Sequence, residues 1–239
     1  MEFLKPEWQD RVSSTNTVLL SRLASGERLA SGTVLAAKEQ TAGRGRYDRR
    51  WASRPGRDLT FSFLLLTDAG FPKLSSLTMA VALGVADAIE DHGVATQVKW
   101  PNDLLASGCK ICGILAERSD CGPASGNAVV VGVGVNVNME GYEAAAIDRP
   151  ATSVLIESGR SNPVESVLQG VLDRLPHWVG RWEEGGFPAL HDAWFTRHCA
   201  VGERVSVGAG DGVREGLLAG FGESGQLLLR NEQGEVREV

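Results

Sequence analysis

Arg44, Arg46, Arg49 and Arg50 crowd into seven positions of the stretch TAGRGRYDRRW, residues 41–51, of a chain whose net charge is −6. Like charges this close repel, and Gly43 and Gly45 break any helix that could splay them apart. Such a stretch suits an anion: arginine forks grip phosphate in pairs of hydrogen bonds, and flanking glycines let backbone N–H groups approach the oxygens. On its own the stretch leaves three uses open. They are a solvated charged face, a nucleic-acid contact and a phosphate-bearing small ligand. The acidic remainder of the chain argues against nucleic acid. The missing G-K-[ST] argues against a Walker loop.

Two further stretches carry chemistry. In VKWPNDLL (98–105) a lysine, Lys99, ends a strand at a Trp-Pro break, where its charge could meet a carboxylate or phosphate; Asn102 and Asp103 follow in the turn. In VVVGVGVNVN (129–138) Gly132 and Gly134 fall at i and i+2, on one face of a strand, where a flat ligand could lie against the backbone. Cys109 and Cys112 form a C-x-x-C with Cys121 nearby, but no second pair and no close His completes a ligand set, so no metal site is expected. The scattered His92, His177, His191 and His198 offer no hydrolytic triad.

Elements that position these residues follow from periodicity. Helices are predicted over 13–25, capped by Ser14, Thr15 or Asn16, over 72–93, closed by Gly93, and over 163–182. Strands are predicted over 33–40, 59–67 (apolar, hence buried on both faces) and 127–138. Short β segments TQVKW and NDLLA come next, and Ser107-Gly108 turn the chain into KICGILAER. Residues 139–152 read as a loop. After about residue 194, short strands with Gly turns mark a small β-barrel. The whole is an α+β fold with a mixed sheet packed by helices, residues 1–190 forming one domain and 191–239 a second. With 43% hydrophobic residues the chain is ordinary for a globular protein. No apolar run approaches the roughly 18 residues of a membrane span, and MEFLKPEWQD is no signal peptide. A cytoplasmic protein with no membrane partner is expected.

Taken in order, STN (14–16), EQTAGRGR with its later Arg and Trp, KWPND, K-x-x-GIL-x-E and VGVGVNVN resemble the biotin protein ligases. The likeness covers residues 14 to about 140, and the tail is similar to that family's SH3-like C-terminal domain. It implies a class II synthetase-like catalytic domain and a two-step reaction. Biotin and MgATP give biotinyl-5′-AMP, and a lysine of a biotin carboxyl carrier protein then takes the biotin. Ser14, Thr15, Asn16 and Gln40 match biotin contacts, as do Gly43, Arg44, Gly45, Gly132 and Gly134. Arg46 matches the adenylate-phosphate ligand, and Arg49, Trp51, Asn102 and Asn136 match nucleotide contacts. Lys99 matches the lysine touching both the biotin carboxylate and the α-phosphate, so Lys99 and Arg46 are the expected catalytic pair. The family usually has Gly where this chain has Asp48. Repulsion among the arginines implies a loop that orders on an adenylate. The likeness leaves room for a homodimer. The roughly dozen residues before Ser14 leave none for a helix-turn-helix, so no nucleic-acid partner is expected. A lipoate ligase or transferase of related fold, or an idle biotin-binding module, are the alternatives.

Overall fold

The computed structural model describes residues 1–47, 49–120, 126–209 and 212–239; Asp48 and Cys121 lie outside the described residues, as does anything read into them above. Eleven strands and seven α-helices are formed among the described residues. The strands are β1 (Glu7–Val12), β2 (Val34–Gln40), β3 (Leu59–Thr67), β4 (Gln97–Lys99), β5 (Asp103–Ala106), β6 (Cys109–Ser119), β7 (Asn127–Val135), β8 (Arg204–Ala209), β9 (Gly212–Phe221), β10 (Leu227–Arg230) and β11 (Val236–Glu238). The helices are α1 (Thr15–Ala24), α2 (Phe71–Leu74), α3 (Leu77–Glu90), α4 (Gly141–Ala144), α5 (Val154–Ser158), α6 (Val164–Gly185) and α7 (His191–Arg197).

A seven-stranded sheet runs β1-β2-β3-β7-β6-β5-β4. Only β1 and β2 pair in parallel; the other neighbours are antiparallel. The mixed sheet with helices is thus the α+β architecture the residue pattern implies. β3 is central, and its first seven residues are all buried, as an apolar run without alternation requires. Its two faces bury different partners. On one, α3 and α6 cover Val34, Ala36, Phe61, Phe63, Val131 and Val133 in the large core. On the other, α1 lays Leu19 and Leu23 over Leu35, Leu64, Ala128 and Val130. This second cover spans only part of the sheet, and the rest of that face carries the site.

Four departures from the sequence reading have physical causes. The helix expected over 72–93 is two, because Ser75 and Ser76 turn their hydroxyls back onto the carbonyls of Pro72 and Lys73 and end α2 there. β1 was not foreseen, since EWQDRV is an exposed, polar edge strand without an apolar alternation. α4, α5 and α7 were likewise missed; α5 takes a cap from Ser153 Oγ and stops at left-handed Gly159, just beyond the 139–152 loop and short of the helix expected from 163. Segment Phe71–Glu90 does pass as a membrane span on length and composition, yet 67% of its apolar window is buried inside this molecule, where it serves as the core helix.

The C-terminal strands form a separate antiparallel meander, β8-β9-β10-β11. Its Leu218, Phe221, Leu227 and Leu229 join the same core as the large sheet. The turn after β9 is pressed onto the large domain between α2 and α3 and after β4, where Ser75 Oγ donates to Ser224 O and Trp100 Nε1 donates to Gly225 O.

Candidate active site

Strand register assembles the site. Lys99 stands opposite Asp103, Asp103 opposite Gly113, Gly113 opposite Gly134, and Gly134 opposite Thr60, so one row crosses five strands on one face. Two residues further along, Leu115, Gly132 and Ser62 form a second row on the same face. The glycines leave the middle of both rows without side chains, and other side chains fill the space. A Cβ on Gly134 would stand 2.3 Å from Trp51 Cε2, and one on Gly113 3.0 Å from Trp51 Cζ3. A Cβ on Gly132 would stand 2.3 Å from Asn16 Oδ1. At Gly132 and Gly134, where the sequence places a ligand against the backbone, the structure places Asn16 and Trp51, and those two side chains form the surface.

The start of α1 supplies a buried polar chain. Ser14, Thr15 and Asn16 are each 3% exposed. Ser14 occupies the N-cap position in extended backbone but makes no side-chain cap. Instead Gln40 Oε1 accepts from Thr15 N at 2.8 Å and from Thr15 Oγ1 at 3.1 Å, which satisfies one open N–H of the first turn. Ser62 Oγ, fully buried, lies 2.6 Å from both Thr15 Oγ1 and Asn16 Oδ1. Asn16 Nδ2 donates to Glu117 Oε2 at 2.7 Å and to Leu115 O at 3.2 Å.

Above this chain sits the arginine stretch, folded as a tight hairpin. Gly45 N donates to Arg49 O, Arg49 N to Arg46 O, and Trp51 N to Gly43 O. Gly43 is required there, since a Cβ would stand 2.5 Å from Trp51 O. The four arginines do not simply repel. Arg44 Nη2 reaches both oxygens of Glu117 at 2.8 and 2.7 Å. Arg46 packs its guanidinium 5.0 Å from the Tyr47 ring centroid, donates to Tyr47 Oη, and reaches Asn102 Oδ1 at 3.4 Å. In this conformation the hairpin is held by contacts within the chain as well as repelled by its own charges. A carboxylate 73 residues away in sequence already offsets part of the charge. The hairpin walls a cleft of about 520 Å³ lined by Arg44, Arg46, Arg49 and Arg50 together with Leu115 and Glu117. Four cations against one anion leave that cleft electropositive.

Lys110, to which sequence reasoning gave no role, proves to be the lysine beside the hairpin. Its Nζ lies 2.6 Å from Asp103 Oδ1 and 5.7 Å from the Trp51 ring centroid. Strict alternation would put Lys110 and Gly113 on opposite faces. A bulge that leaves Ile111 unpaired, between Leu104–Cys112 and Leu105–Lys110, turns Lys110 onto the site face. Lys99 stands at the rim of the same row, exposed. Asn102 is fixed through Nδ2, which donates to Ile114 O at 2.6 Å. Asn136 is buried, and its Nδ2 donates to Thr152 O at 2.9 Å and to Lys110 O at 3.4 Å. Its amide thereby holds the segment after β7 beside Lys110 and is set back from the cleft.

Next to the site, Asp58 is buried beneath the segment leaving Trp51. Burial raises its pKa, against the opposing pull of Arg54 and of the Arg54 and Val137 amides that donate to it. Cys112, in the core behind Gly113, is pushed up by burial and holds its proton. Cys109 and Cys112 are both free thiols, and among the described residues no three His, Cys, Asp or Glu side chains converge on a metal position.

A mixed sheet whose glycine rows lie under an arginine-walled cleft is the framework of a ligase that holds an acid against a nucleotide. The chain belongs to the biotin/lipoate A/B protein ligase family, whose model matches residues 8–136. A curated relative from Paracoccus denitrificans, biotin–[acetyl-CoA-carboxylase] ligase, is 34% identical over 230 residues, which cover 94% of this chain and 93% of the relative. The protein of the same name from Mycobacterium tuberculosis is also 34% identical, with 92% of this chain and 80% of the relative covered. The solved biotin protein ligase from Aquifex aeolicus in complex with biotin and ATP superposes with a TM-score of 0.86 at 31% identity, over 99% of this chain and 96% of that one.

Proposed function

We propose that the chain is a biotin protein ligase. The biotin carboxylate attacks the α-phosphorus of ATP, pyrophosphate leaves, and the acceptor lysine of a biotin carboxyl carrier protein displaces AMP from the resulting biotinyl-5′-AMP. One observation supports this best: Glu117, which lines the electropositive cleft, accepts a hydrogen bond from Asn16 of the buried polar chain of Thr15, Asn16, Gln40 and Ser62, so the two surroundings adjoin. An apolar ring system with a polar ureido head needs such a pair of surroundings, one dry with hydrogen-bond partners and one cationic.

In this reading the head of biotin meets Thr15, Asn16 and Gln40, and its ring system lies along Leu115 and Trp51. Two anions must then approach each other, and Arg46 and Lys110 supply the fixed charges that water cannot supply in a closed cleft. Asp103 holds Lys110 in place, and Asn102 aims Arg46. Arg49 is left for the outer phosphates and Lys99 for the rim, while Asn136 serves the nucleotide side by holding Thr152 and Lys110 in place. Mg2+ enters with the phosphates of ATP as part of that substrate. Residues 1–190 carry the chemistry and 191–239 form the smaller C-terminal unit. In this reading the enzyme works in the cytoplasm, where ATP and an acceptor carrier protein are both at hand.

The lipoate alternative and the idle-module alternative are separated by one experiment. The protein is incubated with MgATP and either biotin or lipoate, pyrophosphate is measured, and a carrier domain is then added and probed with streptavidin. Pyrophosphate with biotin alone and a labelled carrier are expected. Turnover on lipoate only, or none with either acid, overturns the proposal.

A further inference from the structure

Among the described residues Glu117 is the one carboxylate lining the arginine cleft, and two different parts of the molecule hold it. From above, Arg44 Nη2 bonds both its oxygens at 2.8 and 2.7 Å. From below, the amide of Asn16, itself 3% exposed, donates to Oε2 at 2.7 Å. Asn16 is fixed in turn by Leu115 O and by Ser62 Oγ at 2.6 Å. The carboxylate therefore stands in a prebuilt seat. An exposed arginine–glutamate pair on its own is worth little, because water competes for both partners. Here the side chain of Glu117 is only 24% exposed, and one oxygen is already oriented before Arg44 arrives. Arg44 is also the first strand residue of the hairpin, bridged to Arg50 across it, so fixing its side chain fixes the hairpin's root.

We infer that Glu117 is a positioning residue. Through its carboxylate, shared by Arg44 and Asn16, it latches the arginine hairpin to the polar chain that would receive the head of biotin. This rests on the biotin-ligase reading for its consequence, namely that the latch slows escape of the reactive adenylate, but the latch itself is a property of the chain. Any shift of Asn16 on meeting a ligand is passed to Arg44 through one carboxylate, so head-group recognition and hairpin closure move together.

The test is a double-mutant cycle on Glu117→Gln, Arg44→Gln and the pair. Gln keeps the shape, and thermal melts establish that each variant is folded. Two quantities are read. The first is amide hydrogen exchange at Gly45, Arg49 and Trp51 in the protein without added ligand. The second is the rate at which biotinyl-adenylate, formed in place from biotin and MgATP, is released. Each single variant should speed both by about 5- to 10-fold, and the pair should be no faster than either alone, since all three break one connection. Single variants that match the wild type, or effects that multiply in the pair, overturn the latch. Should Glu117→Gln fail to fold, Arg44→Gln decides on exchange alone, because Arg44 is largely exposed. A wild-type protein that makes no adenylate would overturn the ligase reading, and the exchange data would still judge the latch.

Discussion

Replacing Gly134 by Ala adds one methyl group at the place where the structure has least room for it. The new Cβ would stand 2.3 Å from Cε2 of Trp51 and 2.6 Å from both Cζ2 and Nε1. Carbon atoms rest about 3.5–4.0 Å apart, so the overlap exceeds 1 Å. One side must move. β7 is held by β3 on one side and β6 on the other over almost its whole length, whereas Trp51 belongs to a loop, so the indole is the part that yields. Overpacking costs about 1–3 kcal/mol, and a movable ring puts this case at the low end. For a chain of this size about 1 kcal/mol lowers Tm by about 2–4 °C. The functional effect should be far larger. Trp51 N is bonded to Gly43 O, and the ring faces Lys110, so pushing the indole outwards displaces the hairpin and the lysine together. Misplacing reacting groups by about 1 Å costs on the order of 100-fold in rate. The assay is biotin-dependent exchange of pyrophosphate into ATP, with biotin binding by calorimetry and a thermal melt alongside. Gly141→Ala, whose Cβ would meet nothing within 4 Å, serves as the neutral control. A Gly134→Ala protein that exchanges pyrophosphate at the wild-type rate would refute the claim that this glycine exists to seat Trp51.

Two further outcomes are expected. Lys110→Ala should lower pyrophosphate release by about 100-fold or more, because it removes the fixed charge beside the hairpin and strands Asp103, while Lys99→Ala at the rim should cost less than about 10-fold; the reverse order in that assay would return the role to Lys99. Burial lowers the pKa of His198 to about 4, so the folded chain binds fewer protons than the unfolded one between there and the ordinary 6.5; stability should fall as pH drops from about 6.5 to about 4, and urea midpoints of His198→Gln should be flatter over that window than wild type, equal slopes refuting the assignment.

What the residues disclosed and what they hid divides along physical lines. Long apolar runs announced themselves: LTFSFLLLT reads as a strand buried on both faces because it lacks alternation, and the apolar periodicity of LTMAVALGVADAIE reads as a helix. The Ser107-Gly108 turn was legible because both residues take positive φ, which Gly at the second position favours. β1 was hidden because an edge strand needs only backbone partners, and EWQDRV carries no core pattern. α4 and α5 were hidden because four or five residues are too few for a helical period, leaving only the Ser153 cap and Gly159 as signs.

The site shows the same division more sharply. Motif spacing located the arginine stretch, the STN trio and the paired glycines, but it said nothing of what lies against what. Lys110 illustrates the reason. In KICGIL the lysine is three residues before Gly113, an odd separation that in a regular strand points the two to opposite faces. One unpaired residue, Ile111, reverses that, and nothing local in the sequence marks a bulge at an isoleucine. The Trp-Pro break and the KWPND motif pointed to Lys99, which does face the right way but stands at the edge strand of the sheet, one strand beyond Asp103. Glycines are ambiguous for a different reason. A missing side chain signals that something approaches the backbone, yet it cannot say whether the visitor is a ligand or the protein itself. At Gly132 and Gly134 it is Asn16 and Trp51, delivered by an N-terminal helix and a loop far away in sequence. Such contacts are products of sheet register, and register is fixed by the pairing of β3, β6 and β7 over their whole length rather than by any motif within them.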